Sequence, residues 1–208
     1  MAPDAEEVQE LGRDGVAMVK RWLEATTFME LNWNVYEDPA LCIVSCLGEK
    51  IRNTPQGPKS AGARTKKFDL AGNFIGLKRS PVVVESKNYT SSSGQHKYFK
   101  EFLAIAYSST VWEIENKHSD VSREFIWVTF HPFILKDWTI LDTEGKIEEA
   151  LGEFPEYLDG REIDRQILRS VSERIWILVM HKKQEGISLT HEELMDVLST
   201  LKRKAPTL

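Results

Sequence analysis

The sequence predicts an α/β domain followed by a mainly helical C-terminal region, and three observations predict it. Residues 29–36 (MELNWNVY) alternate apolar and polar side chains with the period of a half-buried strand, and residues 125–130 (FIWVTF) form an almost continuous apolar run, as in a strand covered on both faces. Between them a dense valine strand at 81–84 runs through Glu85-Ser86-Lys87 toward a helical pattern at 95–115. From Thr143 onward the pattern is mostly helical.

A chain of 208 residues that is 41% apolar can bury one substantial core, and length alone favours one domain over two. No run of 18 apolar residues and no basic segment followed by an apolar one is present, so the expectation is a cytoplasmic protein with no membrane partner. The net charge of −5 argues against an overall basic protein, but its distribution is uneven. Residues 51–100 hold ten lysines and arginines and only two acids, Asp69 and Glu85. Local basic clusters of this kind bind phosphate backbones. Arg64, Lys66, Lys67, Lys78, Arg79 and Lys97 are therefore the candidate nucleic-acid contacts.

Taken in order, residues 5–25 form an amphipathic helix with Val8, Leu11, Val16, Val19 and Leu23 near helical spacing, and Gly12 and Gly15 allow another backbone to come close. After the 29–36 strand, Asp38-Pro39 reads as a helix start with Gly48 as its stop, with a strand at 41–44 as the alternative. Cys42 and Cys46 read as buried thiols, since nothing nearby completes a zinc ligand set. Residues 52–67 (RNTPQGPKSAGARTKK) combine prolines, glycines and basic residues with little that is apolar, which predicts a mobile loop. A hairpin follows. If Asp69 and Glu85 lie opposite each other on antiparallel strands, the turn centres on Leu77, flanked by Gly76, Lys78, Arg79 and Ser80. Residues 143–151 form a short helix and 162–184 a long one, although IWILVM within the latter also reads as a strand. Thr190 and Glu193 make a capping box for a last helix over 192–202.

Period-two geometry puts Val83, Glu85 and Lys87 on one face of their strand and Val82 and Val84 on the other. An acid and a lysine thus project together, with a second acid across the hairpin. Phosphodiester hydrolysis needs an activated water and stabilisation of developing negative charge. Magnesium provides both, and is commonly held by one or two carboxylates plus substrate oxygens. Asp69 and Glu85, with the Ser86 backbone carbonyl, are the candidate ligands of Mg²⁺ or Mn²⁺, and Lys87 the candidate water-orienting or charge-neutralising group. The E-x-K triplet occurs three times, at Glu85, Glu115 and Glu144, and only the first follows a buried strand.

A first helix, a strand, an FD before a hairpin, VVVESK on the second strand and a Gln-bearing helix together resemble the PD-(D/E)XK nuclease superfamily over about residues 5–133. The resemblance implies a restriction-endonuclease-like core over 5–142, with a central mixed β-sheet flanked by helices, and residues 143–204 packed on it as a helical extension. It further implies metal-dependent cleavage of DNA ahead of RNA, catalytic roles for Asp69, Glu85 and Lys87, and a supporting role for Gln95 with Tyr98. Phe68 stands where the family has proline, and Val16 where many members carry a glutamate; Glu10 and Asp14 are the substitutes to consider. The reading is a DNA endonuclease, such as the nuclease component of a bacterial restriction or anti-phage defence system, acting as a homodimer or within a multi-protein complex. The alternative is a nuclease-fold subunit that binds nucleic acid or docks a partner with weak or no cleavage. No Walker A loop, dinucleotide fingerprint, GxSxG elbow or HExxH marks another enzyme class.

Overall fold

The computed structural model describes residues 5–55, 57–75, 79–88 and 94–202. Helix α1 (Ala5–Thr26) leads to strand β1 (Met29–Asn34), a ribbon of β2 (Ile43–Thr54) and β3 (Gly57–Lys67), and a hairpin of β4 (Leu70–Phe74) and β5 (Pro81–Lys87). Helix α2 (Gln95–Lys117) and strand β6 (Glu124–Thr129) come next, followed by α3 (Glu144–Glu153), α4 (Arg165–Ser172), β7 (Ile175–Val179) and α5 (His191–Thr200). Five strands make one mixed sheet in the order β1-β4-β5-β6-β7. β1 with β4 and β4 with β5 are antiparallel, whereas β5, β6 and β7 run parallel. The parallel step from β5 to β6 requires a long crossover, and α2 provides it.

The alternation along β5 divides the core in two. Val82 and Val84 join Val16, Val19 and Leu23 of α1 and Ile126 and Val128 of β6 on one face. Val83 joins Phe99, Phe102 and Leu103 of α2 with Phe125 and Trp127 on the other. Each of the three valines is fully buried, worth about 1.5–3 kcal/mol apiece relative to exposure. Helix α2 lies between the sheet and the α3–α4 layer, and its long run of buried residues reflects that central place. At Gly15, where another backbone was expected to come close, the neighbour is a side chain: a Cβ there would sit 2.7 Å from that of Asn88, just past β5.

The segment read as a helix from Asp38 is instead a turn and the start of β2, as the alternative reading allowed. Cys42, Val44 and Cys46 alternate inward there, so the strand period wins over the proline cap. The expected loop at 52–67 is mostly β3, paired to β2 from Ile43↔Lys67 to Thr54↔Gly57. Its outer part is exposed on both sides and has no buried stripe to reveal a strand. The long helix expected over 162–184 is α4 followed by β7. Asp164 caps α4 by accepting from the backbone N–H groups of Gln166 and Ile167, and IWILV then pairs with β6. The C-terminal region is therefore not purely helical; it contributes a strand to the central sheet. The capping box at Thr190 and Glu193 is formed.

Candidate active site

Register brings the two acids together. Leu70 pairs with Val84, and the Asp69 N–H donates to the Val84 carbonyl at 3.0 Å, so Asp69, one residue before β4, stands opposite Glu85. The turn expected about Leu77, with Gly76 and Lys78, lies outside the described residues. The Asp69 carbonyl accepts from Val35 N–H at 2.9 Å, and its carboxylate accepts from Ser86 N–H at 2.7 Å. Three strands thus fix one aspartate.

Glu85 is 4% exposed. Its Oε1 lies 2.6 Å from Lys87 Nζ and 2.9 Å from Lys66 Nζ, whereas Oε2 is buried with no hydrogen-bond partner among the described residues. Lys87 Nζ sits 5.7 Å from the centre of the Trp127 ring and 5.9 Å from that of Tyr98. Lys66 Nζ sits 5.7 Å from that of Phe68. The aromatic faces attract both ammonium groups beside the carboxylate. Burial, and then the charge of Glu85, push the Asp69 carboxyl up to about 6, against the pull of Lys87, the Ser86 N–H and Lys66.

These donors fit a hard divalent cation. Two carboxylates of opposed strands face each other, one with a buried oxygen left over, and their mutual repulsion is what a cation would relieve. Among the described residues no cluster of three or more His, Cys, Asp and Glu side chains assembles. Cys42 and Cys46 are free and buried, and burial raises their thiols to about 11 and about 12, which keeps them protonated at neutral pH.

The other residues singled out from the sequence separate clearly. Gln95 is fully buried, accepts from Thr129 Oγ1 at 2.7 Å and donates to the His131 carbonyl at 3.1 Å. Its amide fastens the start of α2 to the end of β6. Tyr98, half exposed, does border Lys87, and Lys97 is exposed one residue before it. Lys67 is exposed at the end of β3. Two basic residues are not brought to the site. The Arg64 guanidinium lies 5.0 Å from the Tyr157 ring and donates to the Glu49 carbonyl, a cation–π and backbone anchor at the base of the ribbon. Arg79 pairs with Glu30 at 3.1 Å and lies six residues before Glu85, roughly 20 Å away along the strand. Lys78 lies outside the described residues.

Val16 is core, and Asp14 is exposed, lining a cleft of about 330 Å³ with Arg21, Asn88, Phe130 and Lys182. The side chain of Glu10 lies outside the described residues. Sequence reasoning missed two neighbours of the site, Tyr36 and Arg13. Burial and then Asp69 raise the Tyr36 hydroxyl, and Arg13 lies 5.2 Å from the Tyr36 ring. Their only prior signal was position, at the end of β1 and on the face of α1 that turns toward it. Lys66 was expected as a phosphate contact, and it reaches Glu85 itself.

No family model matches the chain, and no curated protein matches it. Solved structures do. One is a Cap4 SAVED/CARF-domain containing receptor of Moraxella osloensis, at 10% identity and a TM-score of 0.37, covering 90% of this chain and 36% of that one. Another is the Acinetobacter baumannii Cap4 SAVED/CARF-domain containing receptor with the cyclic trinucleotide 2'3'3'-cAAA, at 12% identity and a TM-score of 0.39, covering 90% of this chain and 35% of that one. The chain spans about a third of the length of these structures. Likeness at that level carries no functional argument. Among the described residues, no helix is long and apolar enough to cross a membrane.

Proposed function

We propose that this protein is a divalent-metal-dependent nuclease that hydrolyses phosphodiester bonds of DNA. One observation carries the reading: Asp69 and Glu85 face each other from neighbouring strands, with two lysines on one Glu85 oxygen and the other oxygen buried and without a hydrogen-bond partner among the described residues. The strand order supports the PD-(D/E)XK reading and a restriction-endonuclease-like core. β1, β4 and β5 form an antiparallel run, α2 crosses over, and β6 returns parallel to β5. The setting we infer is the one the resemblance implies, a bacterial restriction or anti-phage defence system. Two centres, in a homodimer or a larger complex, would cut both strands of a duplex.

In this reading Asp69, Glu85 and the Ser86 carbonyl hold Mg²⁺ or Mn²⁺, which when bound polarises a phosphate oxygen and lowers the pKa of water. The residues do the rest. The Ser86 N–H and the backbone pairing of Asp69 hold its carboxylate still, so little rearrangement is needed. Lys87, confined by Trp127 and Tyr98, keeps its ammonium beside Glu85, where it can orient the attacking water or balance charge on the phosphorane-like state. Lys66 is the second cation there, available to a phosphate oxygen once Glu85 turns its charge to the metal. Gln95 is a positioning residue, setting α2, and so Tyr98, against the sheet.

A second reading has its own observation. Glu85 Oε1 is already neutralised by two lysines, and Val16 is buried where a supporting acid was sought. That pattern suits a nuclease-fold subunit that binds nucleic acid or a partner with weak or no cleavage. Incubating the protein with supercoiled plasmid, single-stranded DNA and RNA in Mg²⁺ or Mn²⁺ separates the two. The nuclease reading expects metal-dependent cutting, abolished by chelator and reduced on the order of 10² or more in Asp69→Ala, Glu85→Ala and Lys87→Ala. Cleavage unchanged in Glu85→Ala would falsify it, and DNA binding without cutting would favour the second reading.

A further inference from the structure

We propose that the β2–β3 ribbon is a grip for duplex DNA, anchored at its base and lying in the major groove beside the site; this rests on the reading that the site acts on DNA. The base of the ribbon is anchored. Cys42, Val44, Cys46 and Leu47 are buried in the α2 core, and Leu47 N–H donates to Ser108 Oγ at 2.9 Å. Beyond that anchor the ribbon has no core of its own: Lys50, Ile51, Arg52 and the β3 residues 58–63 are exposed. A bare two-stranded ribbon is marginal in water, so its length asks for a use outside the fold.

Its chemistry points to a polyanion. Residues 49–67 carry six basic side chains and one acid in a chain whose net charge is −5. Arg52 stands directly opposite Lys59, and like charges facing across strands destabilise a ribbon unless something negative lies over them. The shape selects among polyanions. A two-stranded ribbon fits the roughly 12 Å major groove of B-form DNA, whereas the A-form major groove of RNA is too narrow to admit it. Gly48 at φ 75° and Gly62 at φ 97° sit where the β2–β3 register shifts, and such bulges bend and twist a ribbon as a groove requires.

The same strand connects grip and site. Lys66 contacts Glu85, and Lys59 lies seven residues away on β3, roughly 23 Å at the usual strand rise. That is about seven nucleotides along one strand of the duplex. The ribbon would thus hold DNA half a turn or so from the bond being cut.

The test measures binding in chelator by fluorescence anisotropy, with a 20-base-pair DNA duplex, one of its strands and a matching RNA duplex, across a salt series. In Lys50→Ala/Arg52→Ala/Lys59→Ala, DNA duplex affinity falls at least ~10-fold and the slope of log K against log salt shrinks by about 2–3, near 0.9 per lost phosphate contact. Single-strand and RNA-duplex affinities change less than ~2-fold. Removing the like-charge pair leaves thermal stability unchanged or higher, and Arg52→Lys/Lys59→Arg keeps duplex affinity. Unchanged duplex affinity, an equal loss on the single strand, or no duplex binding by wild type would overturn the grip. Duplex binding lost in the variant with no cleavage by wild type would instead sink the nuclease reading and leave the grip standing.

Discussion

Glu85 and Glu113 are nearly the same object by local measures. Each is a buried glutamate, 4% and 3% exposed, with two cations on Oε1 and a buried Oε2 that has no hydrogen-bond partner among the described residues. Lys66 and Lys87 hold the first; Lys117 and Arg123 hold the second. What differs is the neighbour. Glu85 stands opposite Asp69, whose carboxyl its charge helps to push up. Glu113 lies near the end of α2 and ties the helix to Arg123 just before β6, a brace between elements. A buried acid with counter-ions is thus not itself a site. Under the nuclease reading the Asp69–Glu85 pair is one, because a shared cation would relieve the repulsion between two acids at a strand end.

The largest effect that separates the two is activity. Glu85→Gln should lose on the order of 10² or more in cleavage rate, and Glu113→Gln should stay within about twofold, measured on the same plasmid. Stability should run the other way. Glu113→Gln leaves Arg123 without its counter-charge in a mostly buried setting, about 2 kcal/mol or ~4–8 °C in Tm. Glu85→Gln removes a repulsion on Asp69 along with its ion pairs, so Tm should move by only ~2 °C. Equal losses of Tm in both would mean that Glu85 too is a brace.

A smaller effect comes from the proton on Asp69. Its folded carboxyl is raised from 3.8 to about 6, so the folded state holds the proton more tightly than the unfolded chain. Its stabilising contribution is complete below about pH 4 and is lost as pH rises through 6. In chelator, wild type should therefore lose Tm relative to Asp69→Asn between pH 4 and pH 7. Saturating Mg²⁺ should restore that difference at pH 7 and have little effect at pH 4.5, where proton and cation compete for the same oxygens. A Tm difference that ignores both pH and Mg²⁺ would remove Asp69 from the site.

The hairpin was legible because its information is local. Valine alternation and a symmetric count about Leu77 suffice to set Asp69 opposite Glu85, and the Leu70↔Val84 register agrees. Burial on both faces likewise marked β6. The ribbon was not legible, since a strand exposed on both sides has no hydrophobic period to read, and its glycines and prolines imitate a loop. At β7 the apolar spacing of 163–178 fits a helix as well as a helix and a strand, and pairing with β6 decides between them. Arrival of Lys66 at Glu85 depends on how the ribbon is anchored on α2, a long-range packing result that no local pattern encodes.

The most direct measurement is Mn²⁺ titration of wild type, Glu85→Gln and Glu113→Gln at pH 7.5, followed by calorimetry or by the Mn²⁺ spin-resonance signal. Wild type and Glu113→Gln should bind with matching affinity, while Glu85→Gln weakens binding at least ~10-fold. Glu85→Gln binding Mn²⁺ as wild type does would contradict the assignment of the Asp69–Glu85 pair as the cation site.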